Sequence, residues 1–65
     1  MKQPTVREIN AHLASMTTYA YVFQANGTCR RIIRARTLKG VKQGRVLGGD
    51  WEAIPADAVV ELRYY

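Results

Sequence analysis

The residues of this chain that could do covalent or proton-transfer chemistry are few, and their spacing does not assemble a catalytic set. His12 follows Glu8 by four positions, so on a helix the carboxylate could orient the imidazole. Catalysis needs a third group. The nearby nucleophile is Ser15, on a helix flank that offers no low-dielectric pocket to activate it, so the pair reads as a surface ion pair. Cys29 falls on the same strand face as Ile33 and Ala35 by period-two counting, which makes it a small buried hydrophobe rather than a reactive thiol. Gly40-Val-Lys-Gln-Gly44 combines glycine and lysine but lacks the Gly-Lys-Ser/Thr ending of a phosphate loop, and no helix pattern follows it. Its glycines read as turns. Asp50, Glu52, Asp57 and Glu61 show no metal-binding spacing, so neither a metal nor another cofactor is expected, and the chain is not read as an enzyme.

A different chemistry is concentrated in the middle of the chain. Arg30, Arg31, Arg34, Arg36, Lys39, Lys42 and Arg45 hold seven of the ten basic residues, and no acidic residue lies between Glu8 and Asp50. With a net charge of +5, one stretch carries the positive field. A solvated face that keeps a small protein in solution would account for such a run. So would a surface for a polyanion or an acidic protein.

The elements that position these residues can be read from pattern. Thr5-Val-Arg-Glu8 matches a capping box, and Val6, Ile9, Leu13 and Met16 recur at spacings of three and four, which predicts an amphipathic helix over about residues 5–16. From Thr17 to Gln24 the residues are mostly β-branched or aromatic, and Asn26-Gly27 follows, the dipeptide that suits a two-residue type I′ turn. A second strand over about Thr28 to Leu38 completes a hairpin. Beyond it, a short strand is expected at Arg45 to Leu47, another at Trp51 to Ile54, a turn at Pro55-Ala-Asp57 and a last strand at Val59 to Tyr65.

Pairing Ala25 with Thr28 across the turn sets a register. Phe23 then faces Arg30, Tyr21 faces Ile32, Tyr19 faces Arg34 and Thr17 faces Arg36, which makes one side aromatic and arginine-rich. The other side holds Val22, Ala20, Cys29, Ile33 and Ala35, suited to close approach by the helix, with Arg31 as its misfit. Rings interleaved with guanidinium groups suit a single-stranded nucleic acid, because bases stack on rings and phosphates pair with arginines. The same rings are also among the largest apolar side chains available, and a thin domain has use for them in its core.

A chain of 65 residues supports one domain, residues 1–65, with a core too thin for a deep catalytic cavity. The expected class is α+β, an N-terminal amphipathic helix packed on a small antiparallel sheet of about four strands. The single cysteine fits a reducing cytosol, and the sequence shows neither a leader's apolar run nor a membrane span, so a cytoplasmic protein is expected. The Val59 to Tyr65 run is apolar enough to seek a partner along an open edge, and a homodimer is expected. The resulting expectation is a small basic binding module, a nucleic-acid-binding accessory protein whose partner is DNA or RNA. Its site would be Tyr19, Tyr21, Phe23, Arg30, Arg34, Arg36, Lys39, Lys42 and Arg45. The competing expectation is a small inhibitor or adaptor of the mobile-element type, docking on an acidic surface of a host protein.

Overall fold

Thr5 begins the only helix among the described residues, which are 3–65 of a computed structural model; Met1 and Lys2, the start of the stretch read for a leader, lie outside them. The Thr5 side chain accepts from the Glu8 amide (3.1 Å) and the Glu8 carboxylate accepts from the Thr5 amide (2.9 Å), so the expected capping box forms. The helix, α1, spans Val6–Leu13 and is shorter than its apolar pattern suggested. Thr18 Oγ1 lies 2.6 Å from the His12 carbonyl and 2.8 Å from that of Ser15, and it takes up acceptors freed where the helix stops. Met16 consequently drops off the stripe and is 96% exposed.

Five strands follow: β1 (Thr18–Phe23), β2 (Cys29–Leu38), β3 (Val41–Val46), β4 (Trp51–Ala53) and β5 (Val59–Tyr64). They form one antiparallel sheet in the order β4-β3-β2-β1-β5, so the fold is α+β with one strand more than expected. The segment anticipated as a short strand at Arg45 to Leu47 is the end of the longer β3. It pairs with β2 through a two-residue turn in which Lys39 (φ 52°) and Gly40 (φ 78°) both take left-handed conformations. No helix among the described residues is long and apolar enough to cross a membrane.

The turn at Asn26-Gly27 differs from expectation, and the register changes with it. Gln24 N–H donates to the Thr28 carbonyl (2.9 Å) and Gly27 N–H to the Gln24 carbonyl (3.0 Å), so the loop holds three residues, Ala25 to Gly27. Only Gly27 adopts positive φ (88°), while Asn26 Oδ1 accepts from the Thr28 amide at 2.9 Å. Ala20 therefore pairs with Ile32, Tyr21 with Arg31, Val22 with Arg30 and Phe23 with Cys29, one residue away from the expected pairing. The predicted oppositions of Phe23 with Arg30, Tyr21 with Ile32, Tyr19 with Arg34 and Thr17 with Arg36 do not occur.

A second shift follows within β2. Ile32 pairs with Val46 but Arg34 pairs with Arg45, so β2 carries an extra residue at this point. That bulge lets Ile32 and Ala35, three positions apart, both be buried against α1. The turn register, which pairs Cys29 with Phe23, and the bulge, which separates Ile33 from Ala35, together overturn the expected shared face: Ala35 alone is buried, while Cys29 and Ile33 are exposed.

The core lies between α1 and one side of the sheet. Ile9, Ala20, Val22, Ile32, Ala35, Ile54, Ala58 and Val60 are buried there, flanked by Val6, Leu13 and Leu62. Gly44 on β3 is required by this packing, since a Cβ at that position would lie 2.8 Å from Ile32 Cγ2. Where β1 no longer pairs with β2, Asn10 takes over: its amide donates to the Ala35 carbonyl (2.8 Å) and its oxygen accepts from the Ala35 amide (2.8 Å). Helix side chain thus substitutes for strand backbone.

Candidate functional site

The helix covers one side of the sheet, and the side without it collects the aromatic and guanidinium groups. Alternation along β1 sends Ala20 and Val22 to the core and Tyr19, Tyr21 and Phe23 the other way. These rings are half-buried, and they form a continuous row with Tyr65: centroids are 4.9 Å apart for Tyr65 and Tyr19, 5.5 Å for Tyr19 and Tyr21, and 6.0 Å for Tyr21 and Phe23. The row is packed against its own neighbours, outside the hydrophobic core.

Two arginines from the flanking strands lie over this row. Arg31 on β2 places its guanidinium carbon 5.4 Å from the Tyr19 ring centre and 5.7 Å from that of Tyr65, and donates to the Tyr65 hydroxyl. Arg63 on β5 lies 5.5 Å from Tyr21 and 5.7 Å from Phe23. Arg63 is also ion-paired with Glu61, whose hydrogen bond raises its pKa above the ordinary value; partial loss of hydration opposes this, and the carboxylate's Coulombic attraction adds to it. Its charge is therefore permanent.

A second cluster occupies the same side on β2, β3 and β4. Arg36 stacks 4.1 Å from the Trp51 ring centre while its Nε donates to Gln43 Oε1 (2.8 Å). Arg45, which pairs with both Arg34 and Trp51, alternates with the buried Gly44 and so shares the side of Trp51. Neither the Arg34 nor the Arg45 side chain has a hydrogen bond or ion pair among the described residues, and both residues are exposed.

The nine residues expected to form the site are thus divided. Tyr19, Tyr21, Phe23, Arg34, Arg36 and Arg45 share the open side, and Lys39 sits exposed in the β2–β3 turn. Arg30 does not join them: it pairs with Val22 on the helix side and reaches Glu52 at 3.5 Å, near the end of the core. Lys42 is also turned away, its Nζ donating to Gln3 Oε1 (2.7 Å) and the Pro4 carbonyl (2.9 Å) to hold the segment before α1. Arg31, Arg63, Trp51 and Tyr65 belong to the open side and were missed. The signal that could have found Arg31 was present: a lone arginine on a face otherwise small and mostly apolar marks a register that is one residue out.

Of the groups considered for catalysis, Glu8, His12 and Ser15 are employed in the fold, while the Cys29 thiol is free and exposed. His12 Nε2 lies 2.8 Å from the Arg63 carbonyl and 3.2 Å from that of Tyr19; both are acceptors, so this nitrogen carries the proton and ties the end of α1 to β1 and β5. Ser15 bonds to Thr17. Among the described residues no three of His, Cys, Asp and Glu are brought together as metal ligands. The void bounded by Val22, Ile32, Gly44 and Ile54 measures about 10 Å³, room for one water at most. Comparison of the chain with family models, with curated proteins and with solved structures returns no match.

Proposed function

We propose that this protein binds single-stranded nucleic acid on the helix-free side of its sheet and acts as a binding module, without catalysis. The observation that carries the reading is the row Tyr65, Tyr19, Tyr21 and Phe23 with Arg31 and Arg63 laid across it, extended by Arg36 on Trp51. Rings packed in a row outside the core and capped by guanidinium groups form an aromatic, basic surface, and stacking on bases is a use that fits it.

Exchange of the guanidinium groups for bases gives up the Arg31–Tyr65 hydrogen bond and the Arg63–Glu61 ion pair, which phosphate contacts replace, and gains stacking. A cation over an exposed ring contributes about 0.5–1 kcal/mol, whereas a base stacked on an aromatic side chain contributes about 1–3 kcal/mol. Bases displace Arg31 and Arg63 from the ring faces, and the freed guanidiniums pair with the phosphates beside them. Arg34 and Arg45, which carry no internal partner, add phosphate contacts without giving up a bond. Duplex is the poorer ligand, since its bases are already stacked on each other and a sheet face reaches only its backbone.

The test is titration of fluorescent single-stranded and duplex oligonucleotides over a salt series. Binding that favours the single strand, with log affinity falling linearly in log salt, is expected. Absence of salt-dependent binding at about 50 mM salt overturns the reading. An acidic protein recovered after nuclease treatment, and lost with Arg34→Gln and Arg45→Gln, would then point to the same side as a protein-docking surface.

A further inference from the structure

The two ends of the sheet are not equally protected. β4 is three residues long and is followed within two positions by Pro55, features that blunt an edge. β5 is six residues long, with no lysine, proline or bulge, and it is the last strand on its side. We infer that β5 is a pairing edge for a second copy of this chain, in antiparallel register with Leu62 opposite Leu62.

Hydrogen-bond alternation defines which backbone groups are open. Tyr65 N–H donates to the Thr17 carbonyl at 3.0 Å, in register with the β1–β5 ladder, so Val59, Glu61 and Arg63 direct their backbone bonds to β1. Val60, Leu62 and Tyr64 direct theirs outward. The preceding outward carbonyl, that of Ala58, is already taken by the Gln3 side-chain amide at 2.8 Å, so the open stretch begins at Val60.

This stretch is self-complementary about Leu62. With Leu62 opposite Leu62, Val60 meets Tyr64 of the second copy on the helix side. Glu61 meets Arg63 at the closely spaced, non-hydrogen-bonded positions on the other side. Each strand's own Glu61–Arg63 pair then joins a ring of four alternating charges. Sliding by one pairing step places Glu61 opposite Glu61 or Arg63 opposite Arg63. The first of these also sets Tyr64 against the Ala58 carbonyl that Gln3 occupies. The two-fold axis stands perpendicular to the sheet, so both helices fall on one side and both aromatic rows on the other. This edge does not depend on the nucleic-acid reading, and its test contains no nucleic acid.

Light scattering on nuclease-treated protein at roughly 100 μM should give twice the monomer mass. Glu61→Arg and Arg63→Glu, each alone, place like charges in opposition and should raise the dimer dissociation constant about ten- to a hundredfold. Mixing the two variants should restore a dimer, because each then supplies the charge the other lacks. Amide exchange on the wild type provides an independent reading: Val60, Leu62 and Tyr64 should gain protection as concentration rises. Monomer mass throughout, dimers indifferent to both reversals, or a mixture that stays monomeric would overturn the inference.

Discussion

On its helix side the sheet presents Ala20, Val22, Ile32, Ala35 and Val60, and one position away along the same strands it presents Tyr19, Tyr21, Phe23, Arg31 and Arg63. If side-chain size alone decided burial, the rings would be inside. They are outside because α1 has only eight residues and must approach closely, with Ile9 fully buried, for so thin a core to close. Ala20 and Ala35 under the helix make that approach possible, while Gly44 leaves room for the Ile32 and Ile54 side chains. The covered side is fitted for contact within the chain, and the open side is left with the rings and the guanidinium groups laid over them.

The sharpest way to test the contrast is to remove volume from the covered side. Ile9→Ala and Ile32→Ala, at 0% and 2% exposure, should each destabilise the fold by about 2–5 kcal/mol in denaturant melts. Leu13→Ala, at a half-buried position, should cost less. Equal tolerance at Ile9 and Leu13 would mean the core is not centred where α1 crosses β2.

Asn10→Ala comes next. The sequence presents Asn10 as a polar helix residue of no consequence, yet its carboxamide is bonded to both backbone groups of Ala35. Truncation leaves two strand groups without a partner and should cost about 1–3 kcal/mol, read in the same melts. An effect near zero would show that water replaces the amide.

Asn10 marks the limit of what the sequence makes legible. Periodicity and caps located the helix start, the β1–β2 hairpin and the final strand, since each is set by local chemistry such as Thr5 with Glu8 or the β-branched run before Gln24. That Tyr19, Tyr21 and Phe23 share one face was legible too, but not whether that face lies in the core, and Tyr65 was missed. The arginine partners of these rings were not legible, because they depend on one residue of loop length at Asn26-Gly27 and one bulge after Ile32. Asn26 accepts from the Thr28 amide where a two-residue turn needs it at positive φ, and Ala35 could be buried only by breaking strict alternation. Each choice was settled by packing between distant segments, as was the pairing of Arg63 with Tyr21, 42 positions along the chain.

Tyr21→Ala addresses the open side directly. The ring stands outside the core, so stability should fall by about 1 kcal/mol, while affinity for a single strand should fall by about 1–3 kcal/mol, measured by fluorescence anisotropy. A stability loss matching that of Ile32→Ala would place Tyr21 among the structural residues and remove the distinction between the two sides.

The smallest expected effect separates the arginines by the side they occupy. Arg34→Gln and Arg45→Gln remove exposed charges with no internal partner, so each should lower the log-log salt slope for single-strand binding by about 0.7 for every phosphate no longer neutralised, with unchanged melts. Arg30→Gln and Lys42→Gln remove the same formal charge from the same sequence run but act on the other side. Arg30 is held by Glu52, and Lys42 by Gln3 and Pro4, so their loss should shift the melt slightly and leave the slope alone. Net charge changes equally in all four variants. If all four flatten the slope alike, the basic run acts as a diffuse field; if only Arg34 and Arg45 do, the ligand lies on the helix-free side, where the rings are.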